Sequence, residues 1–264
     1  MIRTFNHQGV SLRYYDNQAE GPVLVFQHGL TGNAEQTRGT FTNRSWRLIT
    51  LECRGHGGSD MGPPEELGIL TYAQDLLALL DHLEIDKAPL AGISMGAAVC
   101  ACIASQVPDR VLSLSLVRPA WGLRSSPENL QIFSVAAGYL NLYGAIEGKA
   151  RFVESEVFNA LQQSSQDNAN SMLNLFALDP AQTVALLNRM LCSQTGLRPE
   201  VIRRQAIPVQ IISNAQDVIH PESRASELMA LLGANNVVTV FPKNQDKARH
   251  VEEVTASLVT FHRA

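Results

Sequence analysis

Gly92-Ile93-Ser94-Met95-Gly96 sets a serine between two glycines at the spacing G-x-S-x-G. The run Lys87–Gly92 before it reads as a short strand and the Ala-rich run after it as a helix, so only a sharp turn separates them. Small residues at 92 and 96 suit such a turn, which would present the Ser94 hydroxyl as a nucleophile. A serine hydroxyl is a poor nucleophile at neutral pH. It needs a base to take its proton and an acid to orient that base.

His250, in "NQDKARHVEEV", stands where a loop should follow the last strand and precede the last helix. Asp217, in "ISNAQDVIHP", stands in the loop leaving the strand Ile207–Asn214. The order serine, carboxylate, histidine is the one expected for a serine at a strand-to-helix elbow. Glycine-flanked serines also occur in ordinary turns, and aspartate favours turns anyway. Agreement of the three positions in order favours a triad of Ser94, Asp217 and His250. The other histidines read as scaffold: His220 immediately precedes Pro221, His262 lies near the end of the last helix, and His28 and His56 sit in loops. A loop histidine serves geometry unless it reaches the reacting atoms.

The elements that must hold these residues alternate. Strands are predicted over Ile2–Asn6 and Val10–Tyr15 as a hairpin, then over Pro22–Gln27, Trp46–Glu52, Lys87–Gly92, Val111–Val117, Ile207–Asn214 and Asn236–Pro242. Leu76, Leu79, Leu80 and Leu83 recur at three- and four-residue spacing, which predicts a helix over Thr71–Leu83 with Thr71 as its cap. Further helices are expected over Arg151–Gln163, Pro180–Cys192 and Glu222–Leu232, with a last one from about Val251. Such alternation is the signature of a mostly parallel α/β sheet flanked by helices. From Pro119 to Gln205 strand signals fade. The expected division is therefore a core of residues 1–118 and 206–264, interrupted by a helical insertion, 119–205.

The chain resembles the α/β-hydrolase superfamily over nearly its whole length. Three motifs carry the likeness: the Ser94 elbow, His28-Gly29-Leu30-Thr31-Gly32 after the strand "LVFQ", and Arg54-Gly55-His56-Gly57-Gly58-Ser59. The resemblance implies an oxyanion hole formed by the backbone N–H groups of Leu30 and Met95, and makes the insertion a cap over the nucleophile. Relatives that attack alkyl groups carry aspartate at the elbow, so Ser94 argues for acyl transfer. The likeness is greatest to small-molecule esterases and enol-lactone hydrolases, implying hydrolysis of an ester or lactone through an acyl-enzyme, with no metal or cofactor. Perhydrolases and C–C bond hydrolases share the triad, although the latter commonly place tryptophan after the histidine, where this chain has Val251. A non-catalytic ligand-binding member of the fold is the third reading.

Substrate residues are sought at the strand ends where open α/β sheets bind ligands. Arg118 ends its strand and could pair with a substrate carboxylate or tie the insertion to the core. Arg249 beside His250, with Lys247 near it, adds to the case for an anionic small-molecule substrate. Trp121 follows at the expected mouth of the cleft; the other insertion aromatics, from Phe133 to Phe176, are expected mostly as core.

Composition bounds the rest. The 264 residues are 45% hydrophobic and 17% charged, suiting one large globular domain or one with an insertion. A net charge of -4 gives no general attraction to nucleic acid or anionic membrane. The first residues lack the apolar core of a signal peptide, and no apolar run reaches the ~18 residues of a membrane span, so a cytoplasmic enzyme is expected. Cys53, Cys100, Cys102 and Cys192 show neither zinc-site spacing nor the density of a disulfide scaffold and read as reduced and structural.

Overall fold

The computed structural model describes residues 1–263. Eight strands form one sheet in the order β1-β2-β4-β3-β5-β6-β7-β8. β1 (Ile2–His7) and β2 (Val10–Asp16) make an antiparallel hairpin whose second strand runs antiparallel to β4 (Arg47–Leu51). From there the pairing is parallel through β3 (Val23–Gln27), β5 (Ala88–Ile93), β6 (Val111–Val117), β7 (Val209–Asn214) and β8 (Asn236–Val240). Strands covered on both faces read as continuous apolar runs, and every residue of β7 is buried.

Alternation along β3 divides its side chains between two cores. Val25 packs with α2 (Ile69–His82), α3 (Met95–Gln106) and α9 (Glu222–Leu232), whereas Leu24 and Phe26 pack with α1 (Ala34–Thr40) and α10 (Lys247–Arg263). Between β6 and β7 the described residues form no strand. They supply α4 (Gln131–Val153), α5 (Glu156–Ser164), α6 (Gln166–Leu175), α7 (Pro180–Leu191) and α8 (Pro199–Arg204). α4 packs on α5, α6 and α7, but α8 packs on α3 and α9 beside the sheet.

Three expected boundaries shift for local reasons. α2 begins at Ile69, with Gly68 before it, because the Ile69 N–H is satisfied by Ser193 Oγ at 2.8 Å; Thr71 lies inside the helix and does not cap it. The helix expected over Arg151–Gln163 is broken at Ser155, whose hydroxyl accepts from the Phe158 N–H and starts α5. The last helix begins four residues early. Asp246 receives the Arg249 N–H on its side chain and the His250 N–H on its backbone carbonyl, which places His250 in the first turn of α10. Cys53, Cys100 and Cys102 are buried; Cys192, expected to be structural, is exposed at the end of α7, and all four are unpaired. No helix of the described residues is long and apolar enough to cross a membrane.

Candidate active site

Ser94 joins the end of β5 to the start of α3 with φ 55° and ψ −110°. A non-glycine residue held there costs about 1–3 kcal/mol, which the surrounding structure must offset. Its own N–H donates to the Val117 carbonyl at 3.0 Å, tying the turn to β6. The flanking glycines are required by contact. A Cβ on Gly92 would lie 2.1 Å from the Gly96 carbonyl oxygen, and one on Gly96 would lie 2.3 Å from that of Gln27. No side chain fits at either position.

The loops beside the elbow are held by buried histidines and ions. His28 donates from Nδ1 to the Gly29 carbonyl at 2.8 Å and accepts the Cys53 N–H on Nε2 at 3.1 Å. Burial pushes its pKa down to about 4, and that of His56 to about 3, so both rings are neutral near pH 7. His56 donates to the Arg54 carbonyl at 3.0 Å. Arg54 is itself buried, with Nε 2.9 Å from Asp75 Oδ2 and Nη1 2.7 Å from Glu66 Oε2. His262 bonds Ser113 and Ser115 at 2.7 and 2.9 Å between α10 and β6. These three histidines have the scaffold roles their positions suggest.

Asp217, in the loop after β7, is buried and meets more partners than a turn residue needs. Its Oδ1 accepts from Asn168 Nδ2 at 3.0 Å, and its Oδ2 accepts from Arg118 Nε at 2.6 Å. His220 Nδ1 lies 2.9 and 3.0 Å from the two carboxylate oxygens, and its backbone N–H donates to Oδ1 at 3.1 Å. Burial alone would raise the Asp217 pKa. The charges of His220 and Arg118 and the hydrogen bonds from His220 and Asn168 overcome it and hold the carboxyl well below the usual carboxylate range.

Asp217 and His250, expected as partners, are not hydrogen-bonded to each other. His250 is buried in the first turn of α10 and donates from Nδ1 to the Phe241 carbonyl at 2.8 Å. Arg118 takes up Asp217 Oδ2 instead. Burial is the main cause lowering the pKa of both His220 and His250, with the Arg118 charge acting in the same direction on each. Ser94 Oγ makes no hydrogen bond among the described residues, so the structure joins Asp217 to a histidine but engages neither imidazole with the serine.

A cavity of about 250 Å³ opens over the serine, lined by Gly29, Leu30, Ser94, Arg118, His220 and Lys243, with Phe133 contributed by α4. A second hollow of about 140 Å³ is lined by His250, Arg118, Lys243 and Lys247 and does not include Ser94. A larger hollow of about 440 Å³, between Glu65 and Gln194, lies away from the serine, so its size says nothing about the chemistry. Leu30 therefore borders the serine, and Met95, next to it, is fully buried as the first residue of α3.

The expected substrate residues fare unevenly. Arg118 lines the cavity, but its guanidinium is occupied by Asp217 and, at 3.0 Å, by Asp167 of α6, the second of the two roles open to it. Arg249 points away from both hollows. It pairs with Glu253 at 2.8 Å, and its guanidinium lies 4.1 Å above the Phe241 ring. Trp121 is buried against Ala97 and Leu116 at a hollow of about 10 Å³, not at the mouth over Ser94. Sequence reasoning missed Asn168, Asp167 and Lys243. Ser165 caps α6, which puts Asp167 and Asn168 in its first turn; Asn168 then also accepts the Val218 and Ile219 N–H groups. Lys243 reaches Asp167 at 2.6 Å. A cap serine was readable there, but nothing local signals partners 49 or more residues away.

Comparison with known proteins agrees with this architecture. The family described as alpha/beta hydrolase fold matches residues 22–251. The chain is 28% identical over 231 residues to 3-oxoadipate enol-lactonase 2 of Acinetobacter baylyi, covering 82% of this chain and 79% of that protein. The enol-lactonase from Burkholderia xenovorans superposes with a TM-score of 0.74 at 17% identity, over 99% of this chain and 100% of that one. A thermophilic esterase from Thermogutta terrifontis superposes with a TM-score of 0.72 at 19% identity, over 99% and 98%. With the elbow, the strand order and a match running from β3 to the start of α10, the chain belongs to the α/β-hydrolase family.

Proposed function

We propose that the chain hydrolyses a small ester or lactone through an acyl-enzyme on Ser94. The observation that carries this reading is the strained elbow serine lining the same cavity as an imidazole bonded to a buried carboxylate. Similarity to proteins named enol-lactonase and esterase points to the same bond class. Ser94 Oγ attacks the carbonyl carbon, and the negative charge that develops on the carbonyl oxygen needs fixed donors. Met95 supplies one, since the first N–H of a helix has no partner within it. Leu30 supplies the other from a loop whose Gly29 N–H is already held by Gln36 Oε1 at 2.7 Å.

Size and charge narrow the substrate. A cavity of about 250 Å³ is below the ~300–1,000 Å³ common for ligand sites, which favours a short acyl group. Arg118 and Lys243 on its wall are balanced by Asp167 and Asp217, so the wall adds no net attraction for an anion. The reading therefore takes a neutral substrate, with α4–α7 as the cap that limits acyl size.

The test is kcat/KM on short neutral esters and lactones for the parent chain and for Ser94→Ala. We expect loss of turnover to near the uncatalysed rate with an unchanged unfolding midpoint. Turnover that survives in Ser94→Ala would end the proposal.

A further inference from the structure

We infer that Gln36 of α1 is a positioning residue for acyl transfer: its side-chain carbonyl fixes the turn that aims the Leu30 N–H at the oxyanion of the substrate. This rests on the acyl-enzyme reading and deepens it. Gln36 Oε1 accepts the Gly29 N–H at 2.7 Å and borders the cavity over Ser94. Gly29 is where this loop touches the elbow, since a Cβ on it would lie 3.3 Å from Ser94 Cβ and 3.4 Å from the Ile93 carbonyl oxygen. A glycine there is free to turn about φ and ψ, so its direction must come from the bonds on either side.

Two peptide planes meet at Gly29, and each is held. The plane after it carries the Gly29 carbonyl and the Leu30 N–H, which point in opposite directions across a trans peptide. That carbonyl accepts from His28 Nδ1 at 2.8 Å and from the Gly32 N–H at 3.0 Å, closing a turn in which Thr31 takes φ 59°. The Leu30 N–H is thereby turned away from both donors, and it makes no hydrogen bond among the described residues. The plane before Gly29 carries the N–H that Gln36 holds, so loss of Gln36 frees one of the two planes that set the loop beside Ser94. Gln36 is itself well placed to hold it. Asn33 Oδ1 caps α1 by accepting the Glu35 N–H at 2.9 Å, and the hydroxyl of buried Thr37 bonds that of Thr50 on β4 at 2.7 Å. Gly32 leaves the room, since a Cβ on it would lie 2.6 Å from Gln36 Oε1. Gln36 is exposed, so its bond adds little to stability; what it supplies is a donor already aimed before charge develops.

The experiment compares Gln36→Met, which keeps the length and loses the acceptor, with the parent chain on p-nitrophenyl acetate, reading kcat, KM and the unfolding midpoint. Two inhibitors separate positioning from structure. A short trifluoromethyl ketone forms a bond from Ser94 Oγ to its carbonyl carbon and so places an oxyanion in the hole, whereas the matched methyl ketone stays a carbonyl. Expected is a fall in kcat of about 10–100-fold at similar KM, short of the ~10²–10³-fold that follows outright removal of an oxyanion donor. The trifluoromethyl ketone should weaken by a similar factor while the methyl ketone and the midpoint are unchanged. A kcat within about threefold of the parent, or equal weakening of both ketones, overturns the inference. A second reading needs no variant: in the ¹⁵N-labelled parent, the trifluoromethyl ketone should move the Leu30 amide proton downfield and leave that of Gly29, already bonded to Gln36, near its free position. A comparable shift at Gly29 would put that N–H in the hole and overturn the role of Gln36 even if Gln36→Met fails to fold. Ser94-dependent turnover in the parent with Gln36→Met unaffected would sink this inference alone; no Ser94-dependent turnover would sink the proposed function with it.

Discussion

At the scale of single residues, the site shows how burial sets which groups can exchange protons. Both ring nitrogens of buried His28 are committed to backbone partners and both of half-buried His262 to serine hydroxyls, while buried His56 bonds through Nδ1 alone; burial lowers the pKa of all three and keeps them neutral. His220 differs because its partner is a carboxylate. Its pKa is lowered by burial and by the Arg118 charge, while Asp217 and, more weakly, Asp167 act the other way. Burial lowers the pKa of His250 as well, and whichever imidazole serves Ser94 in the proposed acyl transfer works when unprotonated, so a lowered pKa moves the acidic limb of the rate profile downward. Activity should be full at pH 7 and fall only below the ordinary histidine value of about 6.5. Measuring kcat/KM from pH 5 to 8 checks this. A midpoint at or above 7 would mean that the proton acceptor is not a buried, desolvated imidazole.

At the scale of elements, β5, the elbow and α3 behave as one part. The helix approaches β3 so closely that Gly96 meets the Gln27 carbonyl, and this approach is what lets the strand turn into the helix within one residue. Gly96→Ala should cost about 3 kcal/mol, since the obstructing atom is backbone and cannot swing aside. Urea unfolding measures that loss, and a stability change under 0.5 kcal/mol would show that the elbow relaxes more than its contacts imply. The same packing explains why the motif was legible in the sequence: two glycines and a serine at fixed spacing admit few other arrangements. The start of α10 was harder to read. Asp246 is an ordinary capping residue, yet its effect is to move His250 from a loop into a helix and point its Nδ1 at Phe241.

At the scale of the whole molecule, Arg118 ties three regions together. It leaves the end of β6, meets Asp217 after β7, and reaches Asp167 on α6, where Lys243 after β8 also binds. Two carboxylates thus depend on one guanidinium that is almost fully buried. Removing one partner of a buried ion pair leaves an uncompensated charge, so Arg118→Leu should cost roughly 3–5 kcal/mol. Denaturant unfolding tests it. An unchanged midpoint together with a raised KM for a carboxylate-bearing ester would instead make Arg118 a substrate ligand.

The fold and the elbow serine were determined by local pattern. Strand–helix alternation, the glycine-flanked Ser94 and the loops at His28 and Arg54 each depend on neighbours within a few residues, and their order along the chain is visible without coordinates. Asp217 was legible for the same reason, as an aspartate in the turn after a buried strand. Its partner was not. Whether that carboxylate faces His220, three residues on, or His250, thirty-three residues on, depends on where Arg118 and Asn168 arrive from β6 and α6. Hydrogen bonds and ion pairs between distant segments follow from how the helices pack over the sheet, and neither spacing nor periodicity encodes that packing. The fate of Arg249 has the same cause: adjacency to His250 suggested a role, but successive helical residues point about 100° apart, and this one faces Glu253 and the Phe241 ring.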